Sequence, residues 1–302
     1  MTQIAEVAIP VPLHNTFDYL CKEEVEIGAR VKVPFGHKKV TGVVLSHKDK
    51  SKFDKLKEVE EVIDSEALLS KEILEFLLWS ANYYHHPIGE VINNAIPKNL
   101  RNGKPADIKK PSEISNQSSS ANFELTTEQT FAITEILKNL EKFSGFLLHG
   151  VTGSGKTEVY LSIAEIVIKN GGQVLILVPE IGLTPQMISR FEERILGRVV
   201  AVHSQLNDTQ KQDAYLLSKT GEAKVILGTR SAIFTPMPQL GLVIVDEEHD
   251  GSFKQQSNFR YSARDLSFMR AKFANVPLIL GTATPSLETL KNVLENKLAR
   301  LT

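Results

Sequence analysis

A single cysteine, Cys21, stands in 302 residues. One thiol excludes an intramolecular disulfide and any multi-cysteine zinc site within the chain, and it fits a reducing compartment. Long apolar runs are also missing, since none approaches the roughly 20 residues that span a bilayer. The opening residues Met1 to Glu6 have neither the basic start nor the apolar h-region of a signal peptide. The expectation is a cytoplasmic chain with no membrane partner. Charge of one sign is absent as well: Lys+Arg 35 against Asp+Glu 36 leave a net charge of −1. A nucleic-acid partner would therefore be held by local patches, not by a global field. There is no sustained internal repeat, no guanine-reading Asn-Lys-x-Asp, and no residue constellation for a protease or a metal hydrolase. What is present, with 42% hydrophobic residues, suffices for about two cores.

The two parts read differently. In residues 1 to about 100, short β-branched runs (4–9, 29–34, 39–45, 59–63) are broken by Pro, Gly, His and charged clusters, the pattern of a small twisted barrel or open sheet. One helix is predicted there, capped by Ser70, carrying Ile73, Leu74, Leu77, Leu78, Ala81 and Tyr84 at helical spacing and ended by Pro87. The stretch 30–57 holds nine basic residues (Arg30, Lys32, Lys38, Lys39, Lys48, Lys50, Lys52, Lys55, Lys57) against Asp49 and Asp54. It reads equally as a lysine-blunted sheet edge or as a phosphate-contacting patch. The serine-rich stretch 112–122 is predicted to be a linker. From Phe123 onward, strands near 145–149, 173–178, 198–202, 224–228, 241–246 and 277–281 alternate with helices near 155–170, 184–195, 208–219, 263–273 and 286–295. That alternation predicts an α/β domain with a parallel sheet of the P-loop type.

Chemistry concentrates at two places. Gly150, Val151, Thr152, Gly153, Ser154, Gly155, Lys156 and Thr157 form G-x-x-x-x-G-K-T between a predicted strand and a predicted helix. Side-chain-free glycines let backbone N–H groups wrap an anion, and the helix N-terminus adds dipole and unpaired donors. Lys156 is placed to reach the β- and γ-phosphates and Thr157 to ligate Mg²⁺. The second place is Asp246, Glu247, Glu248 and His249, at the end of the apolar run 242–245. Asp246 is placed to hold Mg²⁺ and Glu247 to polarise a water. An acidic helix cap would use only one of these carboxylates. Together they predict NTP hydrolysis.

A resemblance now becomes visible. The blocks 179–186 (PEIGLTPQ), 228–234 (GTRSAIF), 246–249 (DEEH) and 281–286 (GTATPS), in that order after the phosphate loop, resemble the first, RecA-like motor lobe of superfamily 2 DEAH-type helicases. The runs 150–160 (GVTGSGKTEVY) and 253–256 (FKQQ) resemble, more narrowly, the PriA family of bacterial replication-restart helicases. So do 16–20 (TFDYL), 33–36 (VPFG) and 83–89 (YYHHPIG), which are similar to that family's 3′-end DNA-binding domain. The expected layout is a small mostly-β, barrel-like DNA-binding domain at 1–103, a linker at 104–122 and motor lobe one at 123–302.

The resemblance implies ATP and Mg²⁺ as cofactors, with Gln129 reading adenine; from its position alone Gln129 is equally a polar residue of a helix N-terminus. It implies that Thr229 and Arg230 contact the DNA backbone, where the bare pattern allows a turn and a surface ion pair. Thr282 and Thr284 would couple hydrolysis to DNA grip beside His249. Phe253, Lys254, Phe259, Arg260 and Tyr261 would form an aromatic-rich single-strand contact, against a plain reading as buried loop aromatics. Phe17, Asp18, Gly36 and Lys57 would pocket a leading-strand 3′ end, although Phe17 also suits a barrel core and Asp18 a turn. The implied whole is a 3′-to-5′ helicase that recognises stalled or repaired forks and restarts replication. Its expected partners are fork and single-stranded DNA, other primosome proteins, single-stranded DNA-binding protein, and the replicative helicase with its loader. Two departures accompany it: the family's winged-helix domain is not recognisable between Gly103 and Phe123, and the chain stops at Thr302 before a second lobe and its cysteine-rich zinc module. Weak or absent hydrolysis by this chain alone is the consequence expected, since an arginine from elsewhere is worth about 10³–10⁵ in such chemistry. A fork-binding module with a vestigial nucleotide site is the alternative.

Overall fold

Alternation of buried and half-exposed residues in the first hundred positions builds one six-stranded sheet from β1 (Gln3–Ala8), β2 (Phe17–Cys21), β3 (Arg30–Phe35), β4 (Lys38–Lys48), β5 (Lys57–Glu58) and β6 (Glu61–Val62). This comes from a computed structural model that describes residues 3–108 and 124–302. The expected linker 112–122 lies outside the described residues. Strand order is β5-β2-β1-β4-β3-β6, antiparallel throughout except for the parallel pair β2/β5. The inward set, Ala5, Val7, Tyr19, Cys21, Val31, Val33 and Val44, forms a buried core. Helix α1 (Lys71–Tyr83) begins at Ser70, whose hydroxyl accepts from the Ile73 N–H, as the sequence predicts. Two helices not foreseen, α2 (Ile88–Ala95) and α3 (Lys98–Arg101), follow it; each has a proline at its N-cap position.

The chain divides into two units that do not follow sequence order alone. Unit 1 contains Met1–Lys109 with two later segments, Asn207–Leu216 and Ser257–Phe259; unit 2 contains Lys110–Leu206, Leu217–Gln256 and Arg260–Thr302. The segment 207–216 belongs with unit 1 for a polar reason. The Gln212 side chain donates to the Pro105 and Asp107 carbonyls at 3.1 and 3.4 Å, and Lys98 pairs with Asp208 at 3.2 Å.

Unit 2 is built on seven strands, all parallel. They are β7 (Gly145–His149), β8 (Gln173–Leu177), β9 (Arg198–Val202), β10 (Ala223–Gly228), β11 (Leu240–Asp246), β12 (Leu278–Thr282) and β13 (Ala299–Leu301), in the order β13-β7-β12-β11-β8-β10-β9. Helices α4 (Thr127–Leu137), α5 (Lys156–Lys169), α6 (Pro185–Arg194), α7 (Asp208–Lys219, mostly in unit 1), α8 (Ala263–Ala274) and α9 (Leu287–Leu294) complete the chain. The central strands β8, β11 and β12 are near-continuous apolar runs because helices cover both faces of such a sheet. Their order positions the chemistry. β7, β12 and β11 are neighbours, so the phosphate loop, Thr282 and Asp246 issue from adjacent strand ends about 5 Å apart. The RecA-like P-loop sheet and the mostly-β domain before it are thus both present.

Candidate functional site

The loop after β7 is shaped by its glycines. Gly153 and Gly155 sit at φ +81° and +82°, the left-handed region that costs any residue with a Cβ. At Gly155 a Cβ would also lie 2.2 Å from Gln129 Nε2. Gly155 is the N-cap of α5, so the first free N–H groups of that helix open onto the loop. Lys156 donates to the carbonyls of Gly150 and Val151 at 2.9 and 3.3 Å. Val151, Thr152, Gly153 and Ser154 form the exposed arc of the loop.

A cleft of about 750 Å³ opens here, lined by Gln129, Thr152, Gly153, Gly155, Lys156, Thr157, Asp246 and Glu247, with Arg190 and Arg194 of α6 on its wall. That volume lies within the range of nucleotide-sized pockets. Arg194 does not point its charge at a ligand: it donates to Glu165 at 3.0 Å and to Glu158 at 2.6 Å. Those hydrogen bonds outweigh its desolvation and hold it more strongly protonated than a free guanidinium.

At the end of β11, Asp246 accepts from the Tyr160 hydroxyl at 2.9 Å. Burial pushes its carboxyl above the usual range, and the Tyr160 bond opposes that rise only in part. Glu247 follows at φ +47°, a left-handed conformation unusual for a residue with a side chain. Such strain, of order 1–3 kcal/mol, concentrates at functional sites. His249 Nδ1 meets the Thr282 hydroxyl at 2.8 Å and stands 3.6 Å from Glu247, while Thr282 Oγ1 also accepts from Thr284 N at 3.0 Å. The third acid, Glu248, which sequence reasoning left without a role, is 1% exposed. Its carboxylate accepts from Ser286 N (2.7 Å), Ser286 Oγ (3.1 Å), Thr289 Oγ1 (2.9 Å) and Arg264 Nη1 (3.3 Å). No signal in the sequence separates it from its two neighbours; its role follows from facing inward.

The chemistry of the donors fits Mg²⁺. The Thr157 hydroxyl and the Asp246 carboxylate are hard oxygens of the kind that cation takes, usually with substrate phosphates and water completing the set. Among the described residues no group of three or more His, Cys, Asp or Glu is arranged to hold a metal, so the fit rests on the cleft in which those two oxygens and the glycine cradle meet.

Other expected residues fall in less open places. Gln129 is N3 of α4, its Oε1 accepting from Thr126 N in a capping box, and its Nε2 donates to Ser154 O at 3.1 Å. It is both a helix-start residue and a contact of the phosphate loop. Thr229 is buried at the N-cap of a 3₁₀ turn over Arg230–Phe234. The Arg230 guanidinium donates to Ser252 O at 2.8 Å and Lys254 O at 3.1 Å, bracing the loop after the acidic motif. The aromatic-rich segment lies mostly inward. Phe253 and Phe259 are each 1% exposed and Tyr261 8%. Tyr261 packs edge-on against Phe234 at 5.0 Å, and Phe259 lies within unit 1 against His86 at 5.1 Å. Rings of this size are worth more buried than exposed, and all three pack inward. Lys254 and Arg260 remain exposed.

In unit 1, Phe17 and Asp18 lie on β2 and Lys57 on β5, opposite Tyr19 in register. The Phe17 ring meets Phe35 edge-on at 5.1 Å, next to Gly36, which turns the β3–β4 hairpin at φ +59° with open space around it. The four residues therefore come from neighbouring strands and one hairpin turn. Asp18 is already engaged, accepting from Lys48 Nζ at 2.9 Å and Ser51 Oγ at 2.7 Å. Lys48 also pairs with Glu6 at 3.2 Å. These partners were missed because Glu6, Asp18 and Ser46 become neighbours only through strand register.

The basic stretch 30–57 is less free than its composition implies. Arg30 is fully buried and forms a two-pronged pair with Asp64, Nε to Oδ2 at 2.9 Å and Nη2 to Oδ1 at 2.6 Å, so it is no phosphate contact. Lys32 and Lys39 pair with Glu61 and Glu60.

Comparison with known proteins places the chain. Residues 126–293 match the DEAD/DEAH box helicase family, and residues 6–97 match the 3′DNA-binding domain (3′BD) of PriA. Replication restart protein PriA of Haemophilus influenzae is 35% identical, with 99% of this chain and 51% of that protein covered. The protein of the same name from Rickettsia prowazekii is 37% identical, with 98% and 45% covered. Among solved structures, the UvsW helicase from bacteriophage T4 is 20% identical over 62% of each chain, with a TM-score of 0.42. The chain spans about half the length of the curated relatives it matches. No helix among the described residues is long and apolar enough to cross a membrane.

Proposed function

Because the chain belongs to the DEAD/DEAH box helicase family, in its PriA branch, we propose that it joins a 3′-end DNA-binding domain to the ATP-binding lobe of a replication-restart motor. The observation that carries this reading is the meeting of Lys156 and Thr157 with Asp246 and Glu247 in one cleft. Lys156 holds the β- and γ-phosphates, Thr157 and Asp246 hold Mg²⁺, and Gln129 contacts adenine. Bound Mg²⁺ offsets the negative charge that builds on the phosphates. Glu247 orients the attacking water and accepts its proton. His249, Thr282 and Thr284 link the acidic strand end to the neighbouring one, and so couple nucleotide state to DNA grip. Lys254 and Arg260 contact the DNA backbone, and Arg230 with Thr229 acts by fixing the loop that carries Lys254.

Phe17, Asp18, Gly36 and Lys57 receive a leading-strand 3′ end. The Asp18 carboxylate accepts from the terminal hydroxyl, and Lys57 sits against the phosphate. In the complete protein the activity is 3′-to-5′ unwinding at stalled or repaired forks in the cytoplasm. Its partners there are primosome proteins, single-stranded DNA-binding protein and the replicative helicase with its loader. Assayed alone, this chain should hydrolyse ATP weakly, as sites of this kind do when the completing arginine is supplied in trans. The test has two arms. Mg-ATP binding should be lost in Lys156→Ala; an unchanged affinity would favour a fork-binding module with a vestigial nucleotide site. Fork binding should prefer a leading-strand 3′-OH, and Asp18→Ala should abolish the preference. Equal affinities for both forks in both proteins would sink the 3′-end reading.

A further inference from the structure

Tyr160 occupies the second turn of α5, four residues after Lys156 and so on the same helical face. It is 0% exposed, and among the described residues its hydroxyl donates to one acceptor, Asp246 Oδ1, at 2.9 Å. A third element makes room for that bond. On β12, a Cβ added to Gly281 would lie 1.6 Å from the Tyr160 hydroxyl and 3.2 Å from Asp246 Oδ1. The phenol, the carboxylate and the bare Gly281 backbone therefore interlock across α5, β11 and β12.

A carboxylate that bonds a metal through one oxygen needs its other oxygen fixed, because groups around a ligand set both its rotamer and its basicity. Phenylalanine would fill the same space in the core. The hydroxyl is the part that packing does not require, and it is aimed at Asp246, a carboxylate that lines the same cleft as Lys156 and Thr157.

We propose that Tyr160 is a positioning residue for the divalent cation of this site. Its hydroxyl pins Asp246 Oδ1, which leaves Oδ2 as the oxygen offered to Mg²⁺. The same helix carries Lys156 and Thr157, so the phosphate loop and the acidic strand end are held in one frame by this bond. The inference rests on the reading of the cleft as a Mg-ATP site.

The test is titration of the chain with a fluorescent ATP analogue, over a range of Mg²⁺ concentrations and in EDTA, for wild type and Tyr160→Phe. The expected result is that Tyr160→Phe raises the Mg²⁺ concentration for half-saturation about tenfold, the lower end of what such supporting contacts are worth. Affinity in EDTA should stay within about twofold of wild type. In an Asp246→Asn background the Tyr160→Phe effect should disappear. Equal Mg²⁺ dependence in the two proteins, or a proportionate loss with and without Mg²⁺, overturns the proposal; the second result would mark Tyr160 as a packing residue only. A wild-type chain that binds the analogue with no dependence on Mg²⁺ would overturn the Mg-ATP reading itself, and the inference with it. Should Tyr160→Phe not fold, Gly281→Ala displaces the hydroxyl while keeping the ring, and the same shift in Mg²⁺ dependence is expected.

Discussion

His249 Nδ1 and Thr282 Oγ1 meet at 2.8 Å, from the ends of two adjacent parallel strands. The Thr282 hydroxyl serves a second purpose, accepting from Thr284 N. Thr282→Val keeps the shape and removes both bonds. A typical hydrogen bond contributes about 0.5–1.5 kcal/mol, so urea denaturation should show a loss of that order. In the Thr282→Val background, His249→Ala should change Mg-ATP affinity less than it does in wild type. Full additivity would deny that the two residues act as a unit.

Gly155→Ala meets two obstacles at once, a left-handed φ of +82° and the Gln129 amide. The backbone term alone is about 1–2 kcal/mol. Mg-ATP affinity, measured by calorimetry, should fall about tenfold or more.

The Arg30–Asp64 pair is buried on both sides. Removing one partner strands a charge in the core, at about 3–5 kcal/mol. Arg30→Met should therefore lower the chemical stability of unit 1 by that amount, and Arg30→Met with Asp64→Leu should recover much of it. Lys52→Ala, on the exposed part of the same stretch, should change stability by less than about 0.5 kcal/mol.

Glu6 gives a pH dependence with a definite sign. Burial pushes its carboxyl up, but hydrogen bonds from Ser46, Thr16 and Lys48 together bring it below the usual value. A depressed folded pKa contributes stability above the unfolded value of about 4.3, and that contribution is lost as pH falls through the folded one. The stability gap between wild type and Glu6→Gln should therefore be widest near neutrality and shrink steadily below about pH 4.3. A gap that stays constant down to acid unfolding would contradict the assignment.

The segment after the acidic motif should separate into two behaviours. Phe253→Ala and Phe259→Ala should cost about 3–5 kcal/mol of stability, as buried ring truncations do. Lys254→Ala and Arg260→Ala should leave stability within about 0.5 kcal/mol and weaken single-stranded DNA binding, each lowering the salt slope by about 1. Stable Phe259→Ala protein with lost DNA binding would support the stacking role.

Much of the motor lobe was legible because long apolar strands and amphipathic helices repeat with distinct periods. The predicted strands at 145–149 and 198–202 and the helix at 208–219 coincide with β7, β9 and α7. Strand β2 was not foreseen as a strand, because Phe17-Asp-Tyr-Leu-Cys21 is stabilised by its register on β1 more than by its own pattern. Short α3 and β13 carry too few residues for any period to show. At the site, the loop glycines, Lys156 and Asp246 were readable from spacing. Tyr160, Glu248 and Lys48 were not, since each matters through a partner 30 or more residues away. The burial of the aromatics near 253–261 was not legible for a related reason, as composition cannot tell a ring that faces outward from one that faces inward.

The Arg30 side chain has a mechanical consequence. Beyond Asp64, its Nη1 donates to the Leu100 carbonyl and, at 2.9 Å, to that of Lys104. Leu100 lies in α3, and Lys104 lies in the stretch that follows it. A pull on the chain at Lys104 is therefore passed to β3, which is paired along its length with the long strand β4. Arg30 works as a mooring that ties the stretch around Lys104 to the sheet.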